Sequence, residues 1–137
     1  MRHAGTQTIE TERLILRRLL PADAGMMYAN WASDPDVTRW LRWDPHKNAA
    51  ETRELLEAWA LLYPNHDYYQ WAIVEKATGQ VFGSIGIFTS SSAEPERDPW
   101  PGFDHSNGVW EVGYCIGKAW WNQGFTTEAL KAVVEYW

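Results

Sequence analysis

The sequence predicts an α+β domain in which a mixed, mostly antiparallel sheet is layered with flanking helices. Three observations predict it: short strand-like apolar runs, longer stretches with helical periodicity, and a turn signal at residues 77–79 between two adjacent strand-like runs. Helices that interleave with hairpin-connected strands bury their apolar faces best as packed layers. The length of 137 residues fits one domain, so residues 1–137 are treated as a single unit.

The first half of the chain predicts one strand followed by helices. Residues 13–19 alternate weakly and indicate a strand, and Pro21, which suits a first helical turn, opens a helix that ends near Pro35. The clearest helix follows Asn48, a favourable N-cap, and Pro64 is expected to end it. Its predicted apolar stripe consists of Leu55, Leu56, Trp59, Leu62 and Tyr63.

The second half predicts a hairpin, a long loop, and a strand that leads into a helix. Two glycines in the second hairpin strand allow close backbone approach. Residues 89–108 form a polar loop too long for a hairpin connection, which suits either a functional lid or an insertion. Residues 109–117 follow as a strand, and a helix starts at Thr126 or Thr127. The apolar face predicted for this helix consists of Leu130, Val133, Val134 and Trp137.

Composition argues against several classes of protein. A formal net charge of −6 argues against a general nucleic-acid binder, which needs a basic surface. The single cysteine, Cys115, excludes an intrachain disulfide and fits a reducing compartment. No apolar run suits a membrane span or a signal peptide, and the four histidines lack metal-ligand spacing. We therefore expect a cytoplasmic protein with no nucleic-acid or membrane partner and no metal site.

The clearest candidate for a binding site is a glycine turn that precedes a helix. Residues 120–130 read WWNQGFTTEAL, with Gly124 between a strand-like run and the helix start. The first N–H groups of a helix have no internal partner, and the helix dipole adds partial positive charge there. Glycine lets a phosphate approach the backbone, so residues 122–127 suit a pyrophosphate. The pattern alone is weak, because an ordinary strand-to-helix connection also has it.

Three segments in this order resemble the RimJ/RimL-type branch of the GNAT N-acetyltransferases. They are IETERLILRRLLPADAGMMYANWASDPDVTRWL, WAIVEKATGQVFGSIGIF and WEVGYCIGKAWWNQGFTTEALKAVVEYW. The third is similar to the acetyl-CoA motif of that family, a GY strand followed by a glycine turn and a helix. The resemblance covers nearly everything from Ile9 onward and is weakest over residues 95–108. It implies an acyl-CoA N-acyltransferase-like fold.

The resemblance also implies transfer of an acetyl group from acetyl-CoA to a primary amine, either a protein N-terminus or a small molecule. The pantetheine arm would pair with the strand, the pyrophosphate would meet the turn, and strand N–H groups would stabilise the oxyanion. The implied cofactor-binding residues are Val112, Gly113, Tyr114, Cys115 and Ile116 of the strand, and Gln123, Gly124, Phe125, Thr126 and Thr127 of the turn.

Other side chains are candidates for the chemistry, each with a plainer alternative. Glu111, on the strand that would hold the thioester, is the candidate general base, and a solvent-facing glutamate is the alternative. Trp40, Trp43 and His105 are candidates for binding the acceptor, and a surface turn and an exposed loop are the alternatives. Glu128 favours the helix dipole or packs the turn, and Cys115 is expected to be a buried thiol.

The sequence departs from the family pattern in two places. Asn122 and Thr126 stand where the family commonly has glycine and a small residue, which predicts weaker CoA binding. Members also continue past the last helix with further strands, so the resemblance identifies a C-terminally incomplete domain. We expect either a shortened product or a homodimer in which a second copy covers the open sheet edge.

Two other functions stay open at this point. One is a catalytically degenerate, truncated GNAT module that binds CoA weakly or serves in dimerisation. The other is an aromatic-rich domain that binds a different ligand, which ten tryptophans in 137 residues permit.

Overall fold

One antiparallel sheet, with its strands in chain order, forms the centre of the structure. The computed structural model describes residues 4–38, 45–89 and 110–136, without the side chains at positions 88, 89, 110 and 111. The sheet has the order β1-β2-β3-β4-β5, and all four described pairings are antiparallel. The strands are β1 Ile9–Glu10, β2 Leu14–Arg17, β3 Tyr69–Glu75, β4 Val81–Thr89 and β5 Trp110–Ile116.

Helices cover both faces of this sheet, which confirms the predicted α+β class. The predicted first helix consists of a 3-10 turn (Pro21–Asp23), α1 (Ala24–Met27) and a π-helical turn (Tyr28–Ala32). The remaining α-helices are α2 Pro35–Thr38, α3 Ala49–Ala60 and α4 Phe125–Tyr136.

The alternation of β3 divides the core into two layers. Trp71 and Ile73 are fully buried among residues that include Phe125 and Val133 of α4. Ala72, between them in sequence, is buried in a second cluster with residues of α1 and α3. Because successive strand residues point to opposite faces, one strand supplies both layers.

The predicted hairpin is confirmed. Gly79 has φ +72° in the turn, and its N–H donates to the carbonyl oxygen of Glu75 at 2.8 Å. In β4, a Cβ on Gly83 would lie 2.5 Å from the carbonyl oxygen of Cys115. Glycine at position 83 therefore allows the close backbone approach that the sequence predicted.

Two details of the helices differ from the sequence predictions. The Asn48 side chain caps α3 as predicted, but the helix ends at Ala60 and not at Pro64. The chain tightens after Ala60, where the N–H of Leu62 donates to the carbonyl of Trp59, and Leu62 is 40% exposed.

The predicted apolar face of α4 was also partly wrong. Phe125, Ala129 and Val133 are the buried residues, at a spacing of four, while Val134 is 60% exposed. One residue further along a helix is a rotation of about 100°, which moves position 134 off the face that 133 occupies. Trp137 lies outside the described residues.

Candidate functional site

The connection from β5 to α4 contains two residues with left-handed backbone. A 3-10 turn over Lys118–Trp120 is followed by Asn122, with φ +62°, and Gly124, with φ +81°. Glycine adopts this conformation freely, and asparagine does so more readily than most residues. Asn122 therefore keeps the backbone geometry that a glycine would allow at this position.

Five successive backbone N–H groups lie where this turn enters α4. They belong to residues 123–127, and the turn of helix is closed by the N–H of Glu128, which donates to the carbonyl of Gly124 at 3.1 Å. Within the described part of the chain, none of the five donates to another residue. Unpartnered N–H groups at the positive end of a helix dipole form a binding site for an anion.

An ion pair fixes the shape of this turn against the start of β2. Arg13 Nε donates to Glu128 Oε1 at 2.7 Å, and Arg13 Nη1 donates to the carbonyl oxygen of Gln123 at 3.0 Å. Glu128 also accepts from the Arg13 backbone N–H at 3.0 Å and from Thr11 Oγ1. The guanidinium lies 4.3 Å from the centroid of the Phe125 ring. We call this group the Arg13–Glu128 clamp.

The clamp keeps the Glu128 carboxylate ionised. Burial acts to raise the pKa of Glu128, but hydrogen bonds from Thr11 and Arg13 and the attraction of the guanidinium outweigh it and lower the pKa. Because the carboxylate accepts from three donors of the clamp, its role is to stabilise the turn. This agrees with the structural role predicted for Glu128.

A cleft of about 480 Å³ lies between the end of β5, this turn and α2. On one wall, the Trp120 ring stacks on the buried Phe82 ring with centroids 5.2 Å apart. On another, Trp121 Nε1 donates to the carbonyl of Ile116 at 3.0 Å. We call it the turn cleft. Its lining residues are Val37, Tyr114, Cys115, Ile116, Trp120, Trp121, Asn122, Gln123, Gly124, Phe125, Thr126 and Thr127.

The strand β5 forms one edge of the described sheet. It pairs with β4 along its length, and no other described strand pairs with its second side. Val112 is 37% exposed and Tyr114 is 51% exposed. The backbone groups on the open side can therefore pair with an extended ligand laid along the strand.

A second cleft, of about 310 Å³, lies between the sheet and the helices α1 and α3. Gly86 of β4 pairs with Gly113 of β5, so two adjacent strands lack side chains on its floor. It meets the turn cleft at Tyr114 and Cys115, which line both. We call it the helix–sheet cleft. Its lining residues are Met27, Trp31, Trp59, Leu62, Tyr68, Gln70, Ser84, Gly86, Gly113, Tyr114 and Cys115.

A comparison with known protein families assigns this architecture. A family model described as an acetyltransferase (GNAT) domain matches residues 13–137. The chain belongs to the GNAT acetyltransferase family. The membership that the three sequence segments predicted is confirmed.

Relatives and solved structures agree with this GNAT assignment. The uncharacterised N-acetyltransferase p20 of Bacillus licheniformis is 28% identical over 130 residues, which are 95% of this chain and 65% of p20. The uncharacterised N-acetyltransferase YoaA of Bacillus subtilis is 28% identical over 128 residues, 93% of this chain and 64% of YoaA. This chain thus spans about two thirds of the length of these relatives.

The fold itself is matched by a protein from Vibrio cholerae that is provisionally named a ribosomal-protein-serine acetyltransferase. Its structure has a TM-score of 0.71 at 22% identity and covers 95% of this chain and 66% of the other. The acyl-CoA N-acyltransferase-like fold expected from the sequence is therefore confirmed.

The GNAT domain brings most of the predicted cofactor-binding residues together. Tyr114, Cys115 and Ile116 line the turn cleft with all five predicted turn residues. Gly113 lines the helix–sheet cleft instead, and Val112, which is 37% exposed, lines neither cleft. Their part in binding stays a prediction.

The structure does not describe the side chains of four other predicted site residues. The backbone of Glu111 pairs with Phe88 across β5 and β4, but its side chain is not described. Trp40, Trp43 and His105 lie outside the described residues. Their proposed roles as general base and acceptor-binding residues therefore stay predictions.

Cys115 has the properties of an unreactive thiol. Burial raises the pKa of its thiol and outweighs a contact with Ser84, whose Oγ lies 3.4 Å from Cys115 Sγ. The thiolate is the nucleophilic form, so a raised pKa disfavours attack by this side chain. The predicted low reactivity is therefore supported, although Cys115 is half-buried and lines both clefts, and is not fully buried.

Sequence reasoning missed the walls of the helix–sheet cleft. Trp31, Trp59 and Gln70 come from separate elements and carry no local pattern that marks them as neighbours. The available signal was indirect, in the glycines of the GSIG and VGY runs, which leave space on a sheet face.

The described residues hold neither a metal-binding cluster nor a membrane-spanning helix. No group of three or more His, Cys, Asp or Glu side chains there is arranged to hold a metal ion. Within the same residues, no helix combines the length and the apolar character needed to cross a membrane.

Proposed function

We propose that this GNAT domain binds acetyl-CoA and transfers its acetyl group to a primary amine, as a member of the RimJ/RimL-like branch. The observation that carries the proposal is the row of five N–H groups at residues 123–127, which have no partner among the described residues and follow the edge strand β5. The names of p20 and YoaA and the matched Vibrio cholerae fold support it. The acceptor is a protein N-terminus or a small molecule.

The fit of acetyl-CoA to these residues follows from their chemistry. The five N–H groups of the turn would hold the pyrophosphate, and the open edge of β5 would pair with the amides of pantetheine. The thioester would then lie near Tyr114 and Cys115, where the turn cleft meets the helix–sheet cleft. Both parts of the ligand thus meet groups that have no other described partner.

The reaction proposed is direct attack of the amine on the thioester carbonyl. Glu111, or a water that it holds, takes the proton of the amine, and N–H groups of β5 stabilise the oxyanion as it forms. The C–S bond then breaks and releases CoA. An acetyl-cysteine intermediate is disfavoured, because burial raises the pKa of the Cys115 thiol.

Replacement of Gly124 by alanine tests the turn as the cofactor site. Gly124 has φ +81°, and a residue with a Cβ loses about 1 kcal/mol in this conformation. We expect the strained turn to weaken CoA binding about fivefold, measured by isothermal titration calorimetry.

Gly79→Ala is the matched control for this experiment. Gly79 has φ +72°, with nothing within 4 Å of an added Cβ, and lines neither cleft. Its replacement should cost similar stability and leave CoA affinity unchanged. If both variants lose CoA affinity equally, the turn is not the CoA site. If wild-type protein does not bind CoA, acetyl-CoA is not the cofactor and the proposal fails.

A second candidate function is CoA binding without turnover. The observation that favours it is the single-sided β5, which offers one wall for pantetheine in the described part of the chain. Release of free thiol from acetyl-CoA in the presence of amines separates the two functions. Stabilisation by CoA without thiol release supports the binding module, whereas amine-dependent release supports the enzyme.

The open edge of β5 also supports a homodimer as part of the proposal. Val112 and Tyr114 are exposed on the edge strand, and Val134 is exposed on α4. An unpaired edge beside apolar side chains is a surface for association with a second copy. Size-exclusion chromatography with light scattering should give the dimer mass, and a clean monomer would exclude this part.

The remaining expectations concern location and partners. A single cysteine with a protonated, mostly buried thiol suits a reducing compartment. We therefore propose a cytoplasmic location. The net charge of −6 disfavours binding to nucleic acid. Neither expectation depends on the reaction.

A further inference from the structure

The described lining of the helix–sheet cleft is uncharged. Its side chains are apolar or aromatic, and the polar groups among them are neutral: those of Trp31, Trp59, Tyr68, Gln70, Ser84, Tyr114 and Cys115. The cleft is close to the turn cleft, since Tyr114 and Cys115 line both. A group bound in it would therefore lie next to the proposed position of the thioester.

Gln70 presents its amide nitrogen as a fixed donor in this cleft. Tyr68 Oη donates to Gln70 Oε1 at 2.6 Å, which orients the side-chain amide. The Gln70 backbone is held as well, because its carbonyl accepts from Tyr63 Oη at 2.9 Å. The amide nitrogen donates to no residue in the described part of the chain, although Gln70 is only 7% exposed.

A second donor without a partner lies in the wall of the same cleft. Trp31 is fully buried, and among the described residues its Nε1 has no hydrogen-bond partner. Buried donors in proteins are nearly always satisfied, so an unsatisfied one calls for an explanation. Gln70 and Trp31 thus each hold one donor that has no partner in the described part of the chain.

We infer that the helix–sheet cleft binds the part of the acceptor that lies beyond its amine, and that this part is an uncharged apolar group carrying a carbonyl oxygen. This inference rests on the proposed acetyl transfer and narrows its acceptor. A carbonyl oxygen supplies the acceptor that the Gln70 amide lacks, and an apolar body matches Met27, Trp59 and Leu62. Amines with a second ammonium group, such as polyamines, are poor ligands of this cleft.

The exclusion of a second ammonium group follows from desolvation. A cation that leaves water for a neutral, largely apolar cleft loses hydration without gaining an opposite charge. The reacting amine gives up its proton before it attacks, so a second ammonium group is the one that would stay charged in the cleft. The cleft therefore selects neutral α-amino amides over diamines of similar length.

The carbonyl is tested with two aromatic amines that differ only in a carboxamide. Phenylalaninamide and phenethylamine are titrated into CoA-free protein by calorimetry. We expect wild type to favour phenylalaninamide about fivefold, the ratio that one hydrogen bond of about 1 kcal/mol gives. Gln70→Met, which keeps the length of the side chain and removes its donors, should erase this preference.

Gln80→Met is the control, since it makes the same exchange at a residue that does not line the cleft. It should keep the preference of wild type. A loss of stability moves the affinity for both ligands alike, so the ratio reports the amide itself. No preference in wild type, an unchanged ratio in Gln70→Met, or no binding of either ligand overturns the inference.

The charge selection is tested at Leu62, which is 40% exposed and therefore tolerates a polar group. Wild type should bind pentylamine more tightly than cadaverine, its analogue with a second ammonium. Leu62→Asp should bind cadaverine about fivefold more tightly than Leu62→Asn, which has nearly the same shape without the charge. Tighter binding of cadaverine by wild type overturns the inference.

These titrations do not require CoA, so they separate the two proposals. Loss of CoA binding alone removes the proposed acetyl transfer and leaves the cleft selectivity measurable. If the protein binds CoA and polyamines give the fastest thiol release, the inference about the cleft is wrong and the proposed function is supported.

Discussion

The turn cleft and the helix–sheet cleft meet at Tyr114 and Cys115 but are built in different ways. The part of the turn cleft that is proposed to bind an anion is backbone, from one continuous segment of residues 122–127. The helix–sheet cleft is mostly side chains, contributed by α1, α3, the sheet and the turns between them. The first should therefore respond mainly to changes of backbone geometry, and the second mainly to changes of side-chain chemistry.

The largest effect is expected for Gly117→Ala, at the entrance to the turn. A Cβ on Gly117 would lie 2.5 Å from the carbonyl oxygen of Asn30 and 3.0 Å from the Trp120 ring. Backbone or ring must shift, so we expect a loss of about 3 kcal/mol in the free energy of unfolding and weaker CoA binding. Urea unfolding and calorimetry measure the two effects.

The control for this prediction is Gly25→Ala in α1, where nothing lies within 4 Å of an added Cβ. Alanine suits a helix better than glycine, so this variant should gain about 0.5–1 kcal/mol. If both variants were equally stable, the tight contact at Gly117 would not matter. If Gly117→Ala bound CoA as tightly as wild type, Gly117 would not contribute to the geometry of the turn cleft.

An intermediate effect is expected for Tyr63→Phe, below the helix–sheet cleft. Tyr63 is buried, its hydroxyl donates to the carbonyl of Gln70, and it accepts from the N–H of Leu19 at 2.8 Å. Removal leaves both backbone groups unpaired, which should cost about 2 kcal/mol. The amine titrations should also weaken, because Gln70 loses an anchor, while CoA affinity should hold.

Tyr28→Phe is the matched control, because it removes a hydroxyl that donates to the carbonyl of Lys47 from an exposed position. Water replaces that bond, so urea unfolding should change by less than about 0.5 kcal/mol. Equal losses in both variants would contradict the importance of the buried Tyr63 network.

Sequence reasoning predicted the turn better than the cleft, and the reason is physical. Gly124 and the helix start at Phe125 are neighbours in sequence, so local rules for glycine and helix termini apply directly. The hairpin around Gly79 was predictable on the same ground. The resemblance to a known family then supplied the ligand, which the local pattern alone did not.

The shape of the helix–sheet cleft depends on strand register and side-chain packing, which the sequence predicts only indirectly. Gly86 meets Gly113 across β4 and β5, although the two residues are far apart in the sequence. The apolar stripe of α3 was predicted to include Leu62, but the chain tightens after Ala60 and turns that residue outward. Tertiary contacts decided both features, and single-sequence periodicity does not contain them.

The smallest effect is expected for Glu128→Gln, which removes the charge of the clamp and keeps its shape. Arg13 and Glu128 are partly exposed, with side-chain accessibilities of 43% and 20%, so solvent screens their attraction. We expect a loss of about 1 kcal/mol at neutral pH by urea unfolding. CoA affinity should fall slightly, because the clamp shapes the turn without lining the cleft.

The pH dependence identifies this loss as the contribution of the clamp. The pKa of Glu128 is lowered in the folded protein, so its contribution is complete above the ordinary pKa of 4.5 and disappears as the pH falls through the lowered value. Wild type should lose stability over that acidic range more steeply than Glu128→Gln. Glu10, an exposed carboxylate whose pKa is lowered by a hydrogen bond from Lys76, gives the comparison, and Glu10→Gln should change the slope less. A slope in Glu128→Gln that matches wild type would show that the charge of Glu128 does not help to hold the turn, and that hydrogen bonds and backbone geometry suffice.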